Sequence, residues 1–231
     1  MLSKRRFLQG AAAYASAFTA PGVFAQALEI TRLTGDGPFY PDKMPLDTDN
    51  DLLVVNDAIT PAVGEITHLN GRLMTASGAP VRNAFIEIWQ ADTTGSYIHT
   101  GGRNDGRIDG NFQGYGRFLT DAEGRYYFRT IKPTSYTLAG QFRAPHIHVA
   151  VSKAGRRIMA TQALVKGHPD NARDLLTERF PAPGALDTLL VEYRPLPGSK
   201  LGELMANFDI VIGRTAQELE DGRIGGIGPP A

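Results

Sequence analysis

Short runs of β-branched and aromatic residues, each closed by a turn signal, recur along this chain from Glu65 to Ile212. Ala84-Phe-Ile-Glu-Ile-Trp89 is the clearest: apolar, β-branched and aromatic, hence a strand. Glu65–Met74 alternates loosely and stops at the turn Ala76-Ser-Gly78. Arg117–Thr120, the turn Asp121-Ala-Glu-Gly124 and Arg125–Thr130 read as a hairpin. His146–Val151, Arg157–Leu164, Leu189–Tyr193 and Phe208–Ile212 are further strands, while helical signal is confined to Asn171–Arg179 and Ala216–Glu220. The 231 residues include 26 glycines and 15 prolines, which suit many turns. The pattern predicts an all-β chain, an antiparallel β-sandwich of the prealbumin or immunoglobulin kind with long loops and few short helices.

Charge and composition narrow the function. Basic and acidic residues number 24 each, so no basic field favours nucleic acid. No apolar run is long enough and free enough of charges to insert in a membrane as a helix. The chain has no cysteine, which removes disulfides, thiolate zinc sites and iron–sulfur ligation. Any metal must be held by His, Asp, Glu, Tyr or backbone groups. A homo-oligomer is compatible with the chain, and the subunit count is left open.

Residues 1–27 read as an export signal. Lys4-Arg5-Arg6 precedes Phe7-Leu8 and an Ala-rich segment, and small-residue cleavage sites occur at Val23-Phe-Ala25 and Ala25-Gln-Ala27. Ser3-Lys-Arg-Arg-Phe-Leu-Gln9 resembles the twin-arginine pattern, with Lys4 where the first arginine usually stands, so both the twin-arginine and Sec routes stay open. Without this segment 21 basic residues face 24 acidic ones, which predicts a mildly acidic, periplasmic or secreted protein. Residues 28–62 are expected to form an irregular arm, 63–213 the sandwich that carries the function and 214–231 a loosely held tail. Asp47, Asp49 and Asp51 in the arm superficially suggest a calcium loop, but the glycine and glutamate such a loop needs are missing.

Arg143-Ala-Pro-His-Ile-His148 carries the chemistry. Side chains alternate along a strand, so His146 and His148 point the same way from a strand start. A bare His-x-His is better explained by one packed and one solvated histidine, and it is the rest of the chain that changes that balance. The two longest loops of the core region, Ala91–Tyr115 and Lys132–Pro145, add Tyr97 and Tyr136. Two phenols and two imidazoles suit a hard ion of high charge. Phenol ionises near pH 10, and iron(III), unlike Zn(II) or Mg(II), is acidic enough to bind it as phenolate at neutral pH. Tyr115, Tyr126, Tyr127 and Tyr193 are assigned to packing or left unassigned, as is Tyr14.

Three motifs in order complete the picture: Trp89-Gln-Ala-Asp…Gly95-Ser-Tyr97, then Gly124-Arg-Tyr-Tyr-Phe-Arg-Thr-Ile-Lys-Pro133…Tyr136, then Arg143-Ala-Pro-His-Ile-His148. Together they resemble the intradiol ring-cleavage dioxygenases, closest in kind to the protocatechuate 3,4-dioxygenase group. The matching region runs from about Gly35-Asp-Gly-Pro-Phe-Tyr-Pro41 to Phe208-Asp-Ile-Val211. The resemblance implies non-haem iron(III) on Tyr97, Tyr136, His146 and His148, with hydroxide as fifth ligand and Tyr136 and His148 axial. It implies a catecholic substrate bound as its dianion, its protons passing to hydroxide and to the displaced Tyr136. Dioxygen then attacks the ring and the bond between the hydroxylated carbons opens, giving a muconate-type dicarboxylic acid. Arg143 matches an arginine that stabilises charge on the bound ring, and Gln162 a glutamine near the ring and oxygen pocket.

Leu138 stands where the protocatechuate enzymes have tryptophan. Arg103 and Arg107, in the Gly-, Arg- and Asp-rich stretch 100–111, could meet a substrate carboxylate, though no motif anchors either. Too few residues precede the first core strand for the helical dimerisation domain of the catechol 1,2-dioxygenase group. His68, His99 and His168 match no ligand position. Two rival readings remain: a non-catalytic prealbumin-like binding module, and a zinc hydrolase on His146 and His148. The first needs no ligand quartet, and the second would want a third His or carboxylate ligand.

Overall fold

The computed structural model describes residues 27–55 and 60–213, with the backbone of 217–218 and 224–225. The leader expected over 1–27 lies outside them but for Ala27. Two sheets face each other. In one, β1 (Ile66–Thr75) is central: β4 (Arg125–Ile131) runs antiparallel along one edge, and β11 (Leu204–Asn207) then β12 (Ile210–Ile212) run parallel along the other, with β10 (Tyr193–Pro195) outside β11. The second has the order β3 (Tyr115–Leu119), β2 (Ala84–Trp89), β7 (His146–Lys153), β8 (Arg156–Val165) and β9 (Leu190–Val191).

Burial follows from this placement. β1 alternates, burying Thr67, Leu69, Leu73 and Thr75 and leaving His68, Asn70 and Arg72 on the outer face. β2 and β7 sit inside their sheet, buried on both faces but for Phe85 and the last two residues of β7, so they read as largely apolar runs. Leu69, Leu73 and Phe128 from one sheet meet Ile86, Ile88, Ile147, Val149 and Val151 from the other. Burying each such side chain contributes about 1.5–3 kcal/mol. The all-β sandwich expected from the sequence is the architecture found.

Several elements differ from expectation. Residues 117–130 are not a hairpin: β3 pairs with β2 and β4 with β1, so the turn at Asp121–Gly124 carries the chain from one sheet to the other. A local turn signal is the same whether the chain pairs back on itself or crosses a core. Leu189–Tyr193 divides into the end of a 3-10 turn, β9 and the start of β10. The helical stretch 171–179 breaks at Asp174 into a 3-10 turn, Pro169–Arg173, and α1 (Leu175–Arg179). Most of 216–220 lies outside the described residues, but Gln217 and Glu218 (β13) pair with Ile224 and Gly225 (β14) instead of forming a helix.

Two features position the site. A tight hairpin, β5 (Tyr136–Leu138) and β6 (Gln141–Arg143), puts Tyr136 directly opposite Arg143. Its two-residue turn, Ala139-Gly140, has φ of 51° and 76°, the signature of a type I′ turn. The other feature is the segment 27–65, which has no strand among its described residues and crosses both sheets. Thr31 bonds Val211, Thr34 bonds Ala160 and Leu52 bonds Arg129 through backbone groups, and Leu52 and Leu53 are buried in the core. Its aspartates serve the backbone: Asp47, Asp49 and Asp51 accept from the N–H of Asp49, Asp51 and Leu53 in a run of Asx turns.

Candidate metal centre

The two loop tyrosines reach the site by different routes. After β2, the chain is folded around Asp92, which is buried and accepts hydrogen bonds from Thr94, Ser96 and the Asp109 N–H. That knot turns Tyr97 inward, to 1% exposure. Gly95 (φ 81°) makes the close approach possible, since a Cβ there would stand 2.7 Å from Cβ of Tyr136. Tyr136 comes from β5, and His146 and His148 from the first turn of β7, both 1% exposed.

Four donor atoms converge. Tyr97 Oη lies 2.9 Å from Tyr136 Oη, and each phenol oxygen is 3.4 Å from His146 Nε2. His146 Nε2 is 3.2 Å from His148 Nε2. Donors held about 2.0–2.2 Å from one ion stand about 3.0–3.4 Å apart, so this spacing fits a shared cation. The imidazole tautomer agrees. His146 Nδ1 donates to the Ala144 carbonyl at 2.7 Å, which leaves the Nε2 lone pair facing inward. Burial holds both imidazoles well below the usual histidine pKa, and so neutral, with Arg143 adding to the effect. Burial pushes Tyr97 well above the usual phenol value, with Tyr136 close beside it reinforcing the shift. Burial also raises Tyr136, opposed by the Tyr97 hydrogen bond and by the Arg143 guanidinium. Two neutral imidazoles and two acidifiable phenols around one point are a donor set that a cation completes.

Aromatic rings and the N-terminal arm wall the centre. Trp89 stacks on His148 at 4.9 Å and 8°, Phe39 stacks on Tyr97 at 5.2 Å, and Tyr40 meets Trp89 edge-on. Gly37 packs its backbone against His148, where a Cβ would come within 2.8 Å of Cε1. His148 Nδ1 and Trp89 Nε1 are buried without a hydrogen-bond partner among the described residues.

Arg143 and Gln162 are brought together beside the centre. Arg143, 6% exposed, donates from Nη2 to Oε1 of Gln162, and Gln162 lies opposite His148 across β7 and β8. Leu138 is buried in the same aromatic cluster as Tyr97, Tyr136 and Trp89. Arg103 instead lines a pocket of about 440 Å³ with Leu46, Ile98 and Phe112, and Arg107 pairs with Asp105 at the surface. His68 bonds Tyr127 and Glu203, His99 accepts from the Gly101 N–H, and His168 accepts from the Asp170 N–H. Among the described residues no group of three or more His, Asp or Glu side chains is placed to hold a metal. The third ligand wanted by a zinc hydrolase is therefore not supplied there.

Sequence reasoning missed Asp174. It is fully buried and bonds Nε of Arg143 at 3.1 Å. Its position in Asn171–Arg179 reads only as part of a helix, and nothing local links it to a residue 31 positions away.

Comparison with known proteins gives a consistent result. A family model described as dioxygenase matches residues 35–213. The protocatechuate 3,4-dioxygenase beta chain of Burkholderia cepacia is 37% identical over 175 residues, 68% of this chain and 69% of that protein. Catechol 1,2-dioxygenase 2 of Acinetobacter lwoffii is 29% identical over 153 residues, covering 60% of this chain and 52%, about half, of its own length. Among solved structures, the dioxygenase domain of a dioxygenase–carbohydrate-binding protein fusion from Streptomyces sp. SirexAA-E aligns with a TM-score of 0.58 at 27% identity, over 80% of this chain and 99% of that one.

Proposed function

The chain belongs to the intradiol ring-cleavage dioxygenase family, and from that premise we propose that it holds iron(III) on Tyr97, Tyr136, His146 and His148 and opens a catechol-type ring with dioxygen. The convergence of the four donor atoms carries this reading. Bound there, iron(III) would acidify the phenols and the hydroxyls of a bound catechol and activate the ring toward dioxygen.

The protein's own groups do the rest. Tyr136 Oη would be the proton acceptor for one substrate hydroxyl, because burial raises the proton affinity of its phenol oxygen. Arg143, opposite Tyr136 on the hairpin, presents its guanidinium to negative charge on the ring. Gln162 holds that guanidinium by its Nη2 edge. Phe39, Trp89 and Leu138 pack apolar surface around the donor residues and would limit the access of water to the centre. The product of such cleavage is a muconate-type dicarboxylic acid. Lys4-Arg5-Arg6 and the Ala-rich stretch after it support export of the chain as part of the same reading.

The test is a visible spectrum with metal analysis, before and after adding catechol. A red-brown phenolate-to-iron band, one iron per chain and a shift to longer wavelength with catechol are expected. A protein that stays colourless and iron-free after iron loading would return it to the class of non-catalytic sandwich modules.

A further inference from the structure

Asp174 uses its two carboxylate oxygens differently. Oδ1 accepts from the Leu176 N–H and caps α1, which is all that a helix start needs. Oδ2 turns away from the helix and accepts twice, from Arg143 Nε at 3.1 Å and from the Ala144 N–H at 2.7 Å. The Ala144 carbonyl in turn takes the Nδ1 proton of His146 at 2.7 Å. One buried carboxylate thus holds both the guanidinium and the stretch of backbone that orients the first histidine.

The remaining contacts of Arg143 give this arrangement its direction. Gln162 takes Nη2 and Asp174 takes Nε, so two acceptors on two edges fix the plane of the guanidinium. Arg143 stands opposite Tyr136 in the hairpin, with its guanidinium near enough to draw the tyrosine's pKa down. Ser, Thr or Asn would cap α1 as well as Asp does. Only a carboxylate also gives a buried guanidinium a charge-assisted partner.

We infer that Asp174 is a positioning residue of the site, holding the Arg143 guanidinium in one fixed plane beside Tyr136 and a ring bound there. The inference rests on the ring-cleavage reading. Asp174 touches no reacting atom, and the role inferred here is the one it exerts through Arg143.

The experiment is a double-mutant cycle with catechol as probe, on iron-loaded full-length protein. Asp174→Asn keeps the cap and the volume and removes the charge. It is expected to leave iron content and the charge-transfer band as in wild type, to hold KM within about threefold and to lower kcat at least about tenfold. In an Arg143→Ala background the same change is expected to cost less than about twofold in kcat. Equal losses in both backgrounds would mean that Asp174 acts independently of Arg143, and no loss in either that it is a helix cap only; each would overturn the inference. A readout without iron accompanies it: in the apo-protein, the Arg143 Nε–H resonance is expected to be protected from exchange in wild type and unprotected in Asp174→Asn. Equal protection in both would also overturn it. If Asp174→Asn does not fold, Arg143→Lys is the second variant, keeping the charge pair but losing the fixed plane. The same kcat loss with iron and KM retained is expected of it, and wild-type kcat would overturn the inference. Failure of the ring-cleavage reading shows separately, as a wild-type chain that takes up no iron and changes no colour with catechol. The apo-protein resonance then still decides whether Asp174 holds Arg143.

Discussion

Tyr97 and His148 make the sharpest predictions at the scale of single residues, because each gives one atom to the centre and a whole ring to its wall. Tyr97→Phe removes only the hydroxyl, and the ring that stacks on Phe39 stays. Loss of iron and of the charge-transfer band is expected, with folding stability of the apo-protein within about 1.5 kcal/mol of wild type. His148→Ala removes the same ion and also the surface under Trp89, so a further loss of about 1–3 kcal/mol is expected. Metal analysis and urea denaturation of the two variants check both, and full iron in either would remove that residue from the ligand set. The positions that the structure gathers at the centre were legible in the sequence because each rests on a local motif: a His-x-His at a strand start, and a tyrosine just past a strand or a Lys-Pro turn. Asp174 and Glu87 were not legible. Their meaning lies in partners brought together only by the fold, and a carboxylate in a helix start or a strand looks the same with or without them.

Among the elements, strands were easy to see and their pairing was not. β2 was read at its true bounds and β7 at its true start, because apolar β-branched runs declare themselves. The β3–β4 turn was misassigned because pairing is decided by two sheets meeting across a core. The β5–β6 hairpin was missed for a different reason. Its turn is Ala-Gly, without the Asn or Asp that marks a type I′ turn, and Ala139 carries φ 51° in the left-handed region. That conformation costs a non-glycine residue roughly 1–2 kcal/mol, less for asparagine. Ala139→Asn is therefore expected to stabilise the protein by about 0.5–1 kcal/mol, read from the urea midpoint, with iron content and KM for catechol unchanged. No gain in midpoint would mean that the tertiary contacts of the hairpin, and not its turn, set its geometry.

Across the whole molecule, the N-terminal arm joins the sandwich to the candidate metal centre, and one buried carboxylate latches it. Glu87 projects from β2 with its side chain 10% exposed and accepts from Tyr40 at 3.0 Å, Tyr115 and Arg157 at 3.1 Å. Arg157 also pairs with Asp36 at 2.9 Å and lies over the Tyr40 ring. Asp36 and Tyr40 bracket the arm residues that pack on the proposed ligands, Gly37 on His148 and Phe39 on Tyr97. Burial pushes the Glu87 carboxyl upward, but the hydroxyls of Tyr115 and Tyr40 together with Arg157 outweigh it, leaving the pKa below the ordinary glutamate value. A folded pKa below the unfolded one means that the fold favours the carboxylate. Its stabilisation is then complete above the pH where an unfolded glutamate ionises, about 4.3, and is lost as pH falls through the folded value. Glu87→Gln keeps the shape and removes the charge. At pH 7 it is expected to cost about 1–3 kcal/mol and, in the iron-loaded protein, to speed release of the metal to a chelator, since the arm then opens more often over His148 and Tyr97. The stability gap between wild type and Glu87→Gln is expected to narrow as the pH is lowered below 4.3 and the wild-type carboxyl takes up its proton. A gap that is the same at pH 7 and in acid would show that Glu87 contributes packing alone, and an unchanged release rate would show that the arm stays closed without its latch.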